Sequence, residues 1–304
     1  MYRQHFGLSE HPFSLTPDTQ FYFNSPGHRD VLNTLLLALK HSEGFIKVIG
    51  EVGTGKTLLG RKLLTSLSDT FISAYIPNPY LTPDELKWFL AEEIGIAYDS
   101  QMPSYQLLRE ITQKLIELAS QKRQVVLLID EAQAMPRETI EALRLLTNLE
   151  TEKSKLLQVV LMGQPELDDV LRKPDLRQLN QRIVFAETLR CLTRKQVYHY
   201  VNYRLQSAGC DRKLFSRSAL ALLFAASGGV PRLINIIAHK ALLAAYGKSN
   251  SSVGRQHMVR AVLDTAEAKT YGRIQANRDY WLWPLIAATA AIAFSVSPAM
   301  GISL

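Results

Sequence analysis

Short apolar runs alternate with amphipathic segments along the first 189 residues of the chain. The runs are aliphatic or β-branched and are bounded by turn or polar residues, which is typical of strands buried on both faces of a parallel sheet. Between them lie helical patterns such as Thr82 to Ile96, where Thr82 can cap and Pro83 takes the first helical position. The alternation predicts an α/β domain around a five-stranded, mostly parallel sheet. The predicted strands are Phe45–Ile49, Phe71–Ile76, Val125–Ile129, Leu156–Met162 and Val184–Leu189.

After Leu189 the strand pattern stops and the chain becomes helical in pattern. Glycines separate four amphipathic segments there. This predicts two folded domains, an α/β domain over residues 1–189 and a small all-α domain over residues 190–268. The predicted helices of the second domain are Thr193–Ser207, Ser216–Ala226, Pro231–Tyr246 and Arg255–Ala268.

Charge is distributed unevenly between these two parts. Residues 1–189 carry 20 basic and 24 acidic side chains, whereas residues 190–279 carry 15 basic and 4 acidic ones, a net charge of +11. Such an excess predicts an anionic partner, either nucleic acid or the negative cytoplasmic leaflet of a membrane, and a solvated basic surface is the alternative. The chain has only 2 cysteines, which excludes a disulfide scaffold and favours a reducing compartment.

The two ends of the chain differ in character. The N-terminal residues lack the apolar core of a secretory signal, so we expect this end to stay cytosolic. The 24 residues from Trp281 to Leu304 carry no charge. A segment of this length is long enough for a membrane-spanning helix. We therefore predict a basic linker over residues 269–279 and a transmembrane or membrane-associated helix over residues 280–304. Pro284 and Pro298 leave a buried or surface-lying segment as the alternative.

A phosphate-binding motif follows the first predicted strand and opens a helix, as that motif requires. Its glycines let backbone N–H groups turn towards the β- and γ-phosphates of a nucleotide, Lys56 adds a positive charge, and Thr57 offers a hydroxyl to Mg²⁺. The alternative is a glycine-rich turn without a ligand. The motif consists of Gly50, Glu51, Val52, Gly53, Thr54, Gly55, Lys56 and Thr57.

Two carboxylates and an amide end two further predicted strands. Asp130 follows the apolar run 125–129 and would hold Mg²⁺, and Glu131 beside it could act as the general base for the attacking water. Gln164 follows the run 156–162 and could orient that water or sense the γ-phosphate. A polar strand end without catalytic work is the alternative for each.

Three arginines are candidates for contacting the nucleotide from outside this strand edge. Arg177 and Arg182 lie just before the fifth predicted strand, where an arginine can reach a neighbouring subunit's nucleotide and stabilise transition-state charge in trans. Arg232 begins a helix of the second domain and would couple domain closure to the nucleotide. The alternatives are surface salt bridges and an ordinary helix start. The seven histidines show no metal-ligand spacing, so we predict no metal site made by the protein alone.

These motifs occur in the order found in AAA+ ATPases, and the resemblance covers about residues 1–268. More narrowly, the chain resembles the ExeA or general secretion pathway protein A family, and within it the short members of the MSHA pilus type. The residues that carry this narrower resemblance are Phe6-Gly7-Leu8, Pro12-Phe13, Pro17-Asp18, Phe21-Tyr22, Gly163 to Leu167 and Leu176 to Ile183.

The resemblance implies a role for each matching position. The segment from Phe6 to Tyr22, with Phe21, would wrap the adenine, and Gln164 would be sensor 1. Arg182, with Arg177 as substitute, would be the arginine finger, and Arg232 sensor 2. The paired motif residues are Lys56 and Thr57 for Walker A and Asp130 and Glu131 for Walker B.

The resemblance also implies a function. We expect a ring-forming ATPase that uses ATP and Mg²⁺ at the cytoplasmic face of the bacterial inner membrane. It would drive or regulate assembly of a type IV (MSHA-type) pilus or a type II secretion-like machine, with the components of that machine as partners. The alternatives are a DNA-binding ATPase of the transposition or initiator type, and a nucleotide-gated switch that hydrolyses ATP slowly.

Overall fold

The computed structural model describes residues 2–97, 102–150, 155–270 and 272–277. The chain divides into two compact units. Within the described residues, the sheet unit lies in Pro17–Arg190, and the helical unit combines those of Met1–Thr16 with those of Cys191–Leu304.

The strands are β1 (Phe45–Gly50), β2 (Phe71–Ile76), β3 (Gln124–Ile129), β4 (Leu157–Gly163) and β5 (Ile183–Leu189). The helices of the sheet unit are α2 (Pro26–Lys40), α3 (Lys56–Ser66), α4 (Pro83–Glu93), α5 (Ser104–Ser120), α6 (Arg137–Leu146), α7 (Glu166–Leu171) and α8 (Arg177–Gln181). Those of the helical unit are α1 (Tyr2–Phe6), α9 (Arg194–Ser207), α10 (Arg217–Ser227), α11 (Pro231–Tyr246) and α12 (Arg255–Leu263).

The five strands form one parallel sheet in the order β2-β3-β4-β1-β5. This confirms the predicted fold class, and each strand boundary lies within one residue of its prediction. Ile49 of β1 pairs with Gly163 of β4, and Ile129 of β3 pairs with Leu161 of β4. The carboxyl ends of β3, β4 and β1 therefore lie side by side, and the loops that follow them meet at one edge of the sheet.

Alternating residues of the strands supply two apolar cores, one on each face of the sheet. In β3, Val126 and Leu128 pack with α2 and α3, whereas Val125, Leu127 and Ile129 pack with α4, α5 and α6. All five side chains are buried. Burial on both faces explains why the strands read as continuous apolar runs.

Capping residues set where the helices begin. The Thr82 hydroxyl accepts from the Glu85 amide, and the Glu85 carboxylate accepts from the Thr82 amide, which forms a capping box at α4. Such a pair satisfies two backbone donors that the first turn leaves free. The predicted helix from Thr82 to Ile96 ends earlier, at Glu93, because Gly95 has φ +80° and turns the chain out of the helix.

The N-terminal segment packs with the helices of the helical unit, which corrects the predicted assignment of residues 1–16 to the α/β domain. Phe6 is fully buried. The Arg204 guanidinium donates to the carbonyls of Pro12 and Ser14. The Ser9 amide donates to the Ala208 carbonyl over 2.9 Å. Burial of an aromatic ring and repeated main-chain hydrogen bonds attach the segment to this unit.

The predicted basic linker over residues 269–279 also differs from expectation where it is described. The Lys269 amide donates to the Ala226 carbonyl over 2.7 Å. A Cβ on Gly272 would lie 2.3 Å from the Ala226 Cα atom, and Ala276 is fully buried. Lys269 and Gly272 therefore lie against α10, so the start of the predicted linker is attached to the helical unit.

The predicted apolar helix over residues 280–304 lies outside the described residues. Among the helices that are described, none combines the length and the apolar character that crossing a bilayer requires.

Candidate nucleotide-binding site

The predicted phosphate-binding loop connects β1 to α3 in the sheet unit. Gly53 and Gly55 have φ +78° and +100°, values that favour glycine. A Cβ on Gly50 would lie 2.8 Å from Thr54 Oγ1 and 3.1 Å from the Leu189 carbonyl oxygen. These glycines let the backbone turn tightly into the first turn of α3, where free N–H groups attract anions.

Lys56 is the first residue of α3, and its side chain is only 5% exposed. Its ammonium group donates to the carbonyls of Gly50 and Glu51 over 2.7 and 3.1 Å. Burial lowers the pKa of Lys56, and the carboxylates of Glu131 and Asp130 oppose that shift. The structure thus places a desolvated ammonium group against the loop.

Thr57 lies in the first turn of α3, and it contacts Asp130, which directly follows β3. The Thr57 hydroxyl donates to Asp130 Oδ2 over 2.5 Å, and Asp130 is 2% exposed. Asp130 Oδ1 accepts from the Glu131 amide over 2.9 Å, and the Tyr75 hydroxyl lies 3.5 Å from Oδ2. A hydroxyl beside a carboxylate is the set of oxygen donors that suits Mg²⁺.

Glu131 and Gln164 form part of a hydrogen-bonded group at the same strand edge. Glu131 Oε2 accepts from Gln164 Nε2 over 3.0 Å and from Gln133 Nε2 over 2.7 Å. Burial raises the pKa of Glu131, but these two amides and the Lys56 charge outweigh it, so the pKa lies below its usual value. Glu131 is therefore ionised at neutral pH and able to accept a proton.

The rest of the predicted phosphate loop adopts a stable turn. The Thr54 hydroxyl donates to the Glu51 carbonyl over 2.8 Å, and Thr54 is fully buried. Val52 is exposed at the tip of the loop. Hydrogen bonds connect Thr57, Asp130, Glu131 and Gln164 in series, and the charge of Lys56 acts on Glu131.

The remaining predicted residues lie elsewhere. Phe21 is buried in a 3-10 turn of the sheet unit, whereas Phe6 belongs to the helical unit, so the segment predicted to wrap the adenine is divided between the two units. Arg177 begins α8 and Arg182 follows it, and both are exposed. Arg232 is an exposed residue in the first turn of α11.

Two residues of the site were missed from the sequence. His28 of α2 lies 3.0 Å from the Thr54 carbonyl through Nε2 and 2.8 Å from the Ser25 hydroxyl through Nδ1. No local pattern links it to the loop, which is 26 residues away. Gln133 stands two residues after Glu131, so the position of a polar side chain beside the candidate base was the signal that could have found it.

Comparisons with known proteins agree with this geometry. Residues 39–171 match the family of AAA domains. General secretion pathway protein A of Aeromonas hydrophila is 43% identical over 278 residues, which cover 91% of this chain. The chain belongs to the AAA+ ATPases of the general secretion pathway protein A family. The chain spans about half of that relative's length, 51%.

Solved structures support the AAA+ fold. Cdc6p from Pyrobaculum aerophilum has a TM-score of 0.63 at 18% identity and covers 82% of this chain and 69% of its own. The ORC2 protein of Aeropyrum pernix, in ADPNP-ADP complexes, has a TM-score of 0.59 at 17% identity and covers 82% of this chain and 72% of its own. The AAA+ fold is a nucleotide-binding fold. Closeness to MSHA-type family members stays a prediction.

Proposed function

We propose that this AAA+ ATPase binds ATP with Mg²⁺ and hydrolyses it at the carboxyl edge of its sheet. The contact that carries the proposal is the 2.5 Å hydrogen bond between the Thr57 hydroxyl and Asp130, next to the ionised Glu131. Phosphate-binding backbone, oxygen donors for a divalent cation and a carboxylate base lie together there. This is the set of groups that phosphoryl transfer to water requires.

Each residue has a distinct task in the proposed reaction. The loop amides and Lys56 would bind the phosphates, and Thr57 and Asp130 would hold Mg²⁺. When bound, Mg²⁺ neutralises charge on the phosphate oxygens. Glu131 would accept a proton from the attacking water, and Gln164 would orient that water.

The exposed Arg182, with Arg177 as substitute, would act on a neighbouring subunit's nucleotide, and Arg232 would respond to the γ-phosphate.

The adenine is proposed to lie near the segment Phe21-Tyr22. The Tyr22 ring belongs to the apolar cluster of α2 and α3, and its centroid is 6.3 Å from that of His28, which contacts the loop. Its hydroxyl is buried without a hydrogen-bond partner in the described part of the chain. A buried unsatisfied hydroxyl is costly, and a polar atom of a bound base could satisfy it.

The proposed cellular task is assembly of a pilus or a secretion machine at the inner membrane. The supporting observation is the 43% identity to a protein named for the general secretion pathway. The net charge of +11 over residues 190–279 favours attraction to an anionic membrane surface. A ring of subunits would place Arg182 of one copy at the nucleotide of the next.

A DNA-bound ATPase is the second candidate, and the same basic excess favours it. DNA binding through phosphate contacts falls steeply as the salt concentration rises. The two candidates share the nucleotide site and differ in the anionic partner.

The experiment that separates them is ATPase activity of the full chain against protein concentration, with anionic liposomes, neutral liposomes or duplex DNA. We expect turnover per subunit to rise with concentration, because the site is shared between subunits, and to rise further with anionic liposomes only. Stimulation by DNA alone would favour the second candidate. Turnover per subunit that does not change with protein concentration, anionic liposomes or DNA would contradict both the shared site and the anionic partner.

A further inference from the structure

Gln133 connects the two residues to which we assign activation of water. Its Nε2 donates to Glu131 Oε2 over 2.7 Å, and its Oε1 accepts from the Gln164 amide over 3.0 Å. Gln164 Nε2 closes the group by donating to the same Glu131 oxygen over 3.0 Å. One side-chain amide thus holds both the carboxylate after β3 and the main chain after β4.

The local backbone is arranged so that Gln133 faces back towards Glu131. Glu131 has φ +50° and ψ +36°, a left-handed conformation that costs about 1 kcal/mol or more outside glycine. The 3-10 turn Ala132–Ala134 follows at once. Strain of this kind persists where surrounding contacts hold the backbone.

Gly163 leaves space for the Gln133 amide at the end of β4. A Cβ on Gly163 would lie 2.7 Å from Leu167 Cδ2 and 3.1 Å from Gln133 Oε1, so the missing side chain leaves space for both residues. The side-chain amide of Gln133 can therefore approach the end of β4 closely enough to accept from the Gln164 amide. Gln133 is half-buried there, which limits competition from solvent.

The hydrogen bonds discriminate between the two oxygens of Glu131. Both amide donors reach Oε2. Among the described residues, no protein group donates to Oε1. With Oε2 held from two directions, rotation of the carboxylate is restricted and Oε1 is available to a water molecule.

We propose that Gln133 is a positioning residue for hydrolysis, which bridges Glu131 to Gln164 and so presents Glu131 Oε1 to the attacking water. The proposal rests on the ATPase function proposed above. In that step water loses a proton to Oε1, and its oxygen forms a bond to the γ-phosphorus. The bond from that phosphorus to the β–γ bridging oxygen breaks, which leaves ADP and inorganic phosphate.

The test compares Gln133→Met, which keeps the size of the side chain and removes both hydrogen bonds, with the wild-type full chain. We expect kcat to fall about 10- to 100-fold, because a misplaced catalytic group has an effect of this size. We expect the Kd for ATP, measured by calorimetry, to change less than about 3-fold, since the phosphate-binding groups are untouched. The matched control is Gln121→Met, because the exposed Gln121, which follows α5 directly, donates to Glu117 over 3.2 Å.

A pH profile gives a readout that a merely structural role would not change. Removing one donor from ionised Glu131 raises the pKa of its carboxyl group. The acid limb of kcat should therefore move to higher pH in Gln133→Met and not in Gln121→Met. Carbon NMR of labelled Glu131 in the nucleotide-free chain measures the same upward shift without any need for activity.

Three results would overturn the proposal: an unchanged kcat with an unchanged Glu131 pKa, a rise in kcat, or a loss of ATP affinity that matches the loss of kcat. If Gln133→Met does not fold, Gln133→Asn keeps the amide but is too short for the bridge, and the same losses are expected. Glu131→Gln is measured in parallel. Hydrolysis at the wild-type rate in that variant would contradict the assigned base itself, which is a separate outcome from a silent Gln133.

Discussion

His28 connects the start of α2 to the phosphate loop through its two ring nitrogens. Because the Thr54 carbonyl can only accept, Nε2 carries the hydrogen, and Nδ1 accepts from the Ser25 hydroxyl. Burial lowers the pKa of His28, and the bond to Thr54 opposes this only in part, so the ring is neutral at physiological pH. A neutral imidazole in this tautomer fixes the loop without adding charge beside Lys56.

Replacing His28 tests whether this contact orders the loop for nucleotide. We expect His28→Ala to weaken ATP binding by ~3- to 10-fold, since one buried hydrogen bond is worth about 1 kcal/mol. His28→Gln should recover most of the affinity, because its amide nitrogen can stand where Nε2 stands. Calorimetry with ATP measures both. Equal affinities for His28→Ala and the wild type would show that the loop is ordered without the contact.

At the residue scale, the sequence predicts the parts of the site that belong to contiguous motifs. Lys56, Thr57, Asp130 and Glu131 could be placed because parallel strands bring their carboxyl ends to one edge. Contacts that join distant segments, such as the one between His28 and Thr54, depend on how α2 packs against the sheet. No local pattern encodes that packing.

At the scale of elements, Gly55 of the predicted phosphate-binding loop has a positive φ and also lies close to a neighbouring side chain. Gly55 has φ +100°, and a Cβ there would lie 3.2 Å from His28 Nε2. Gly95, after α4, has φ +80° and nothing within 4 Å of its Cβ position. The two positions share the backbone requirement and differ in their surroundings.

Comparing Gly55→Ala with Gly95→Ala separates strain from function. Each should lower the free energy of unfolding by about 1–2 kcal/mol, because alanine disfavours positive φ. Only Gly55→Ala should also weaken ATP binding, since its methyl group would displace His28 and the loop. Chemical denaturation and calorimetry provide the two measurements. Weaker ATP binding in both variants to the same extent would indicate a general loss of stability instead.

The elements themselves were largely predictable. The prediction of α11 matches at both ends, and the strands differ by at most one residue, because apolar runs and turn residues mark them clearly. The ends of α4 and α12 were predicted too late. The docking of residues 2–16 onto other helices could not be predicted, since it depends on partners such as Arg204, which lies 192 positions after Pro12.

At the scale of the whole molecule, the chain passes between its two units twice, at Thr16 to Pro17 and at Arg190 to Cys191. The helical unit therefore needs the N-terminal segment, and a fragment that starts at Cys191 would lack the contacts of Phe6 and Ser9. The basic excess lies mainly in residues 190–279, whereas the candidate hydrolytic residues lie in the sheet unit. Attraction to an anionic partner and hydrolysis are thus assigned to different parts of the chain.

A single-turnover experiment tests whether Glu131, at the carboxyl edge of the sheet, is the base for ATP hydrolysis. Radiolabelled ATP is mixed with excess full-length chain and Mg²⁺, and bound nucleotide and released phosphate are followed in a single turnover for the wild type and Glu131→Gln. We predict that both bind ATP and that only the wild type releases phosphate at an appreciable rate. Equal phosphate release from the two proteins would show that Glu131 is not the base.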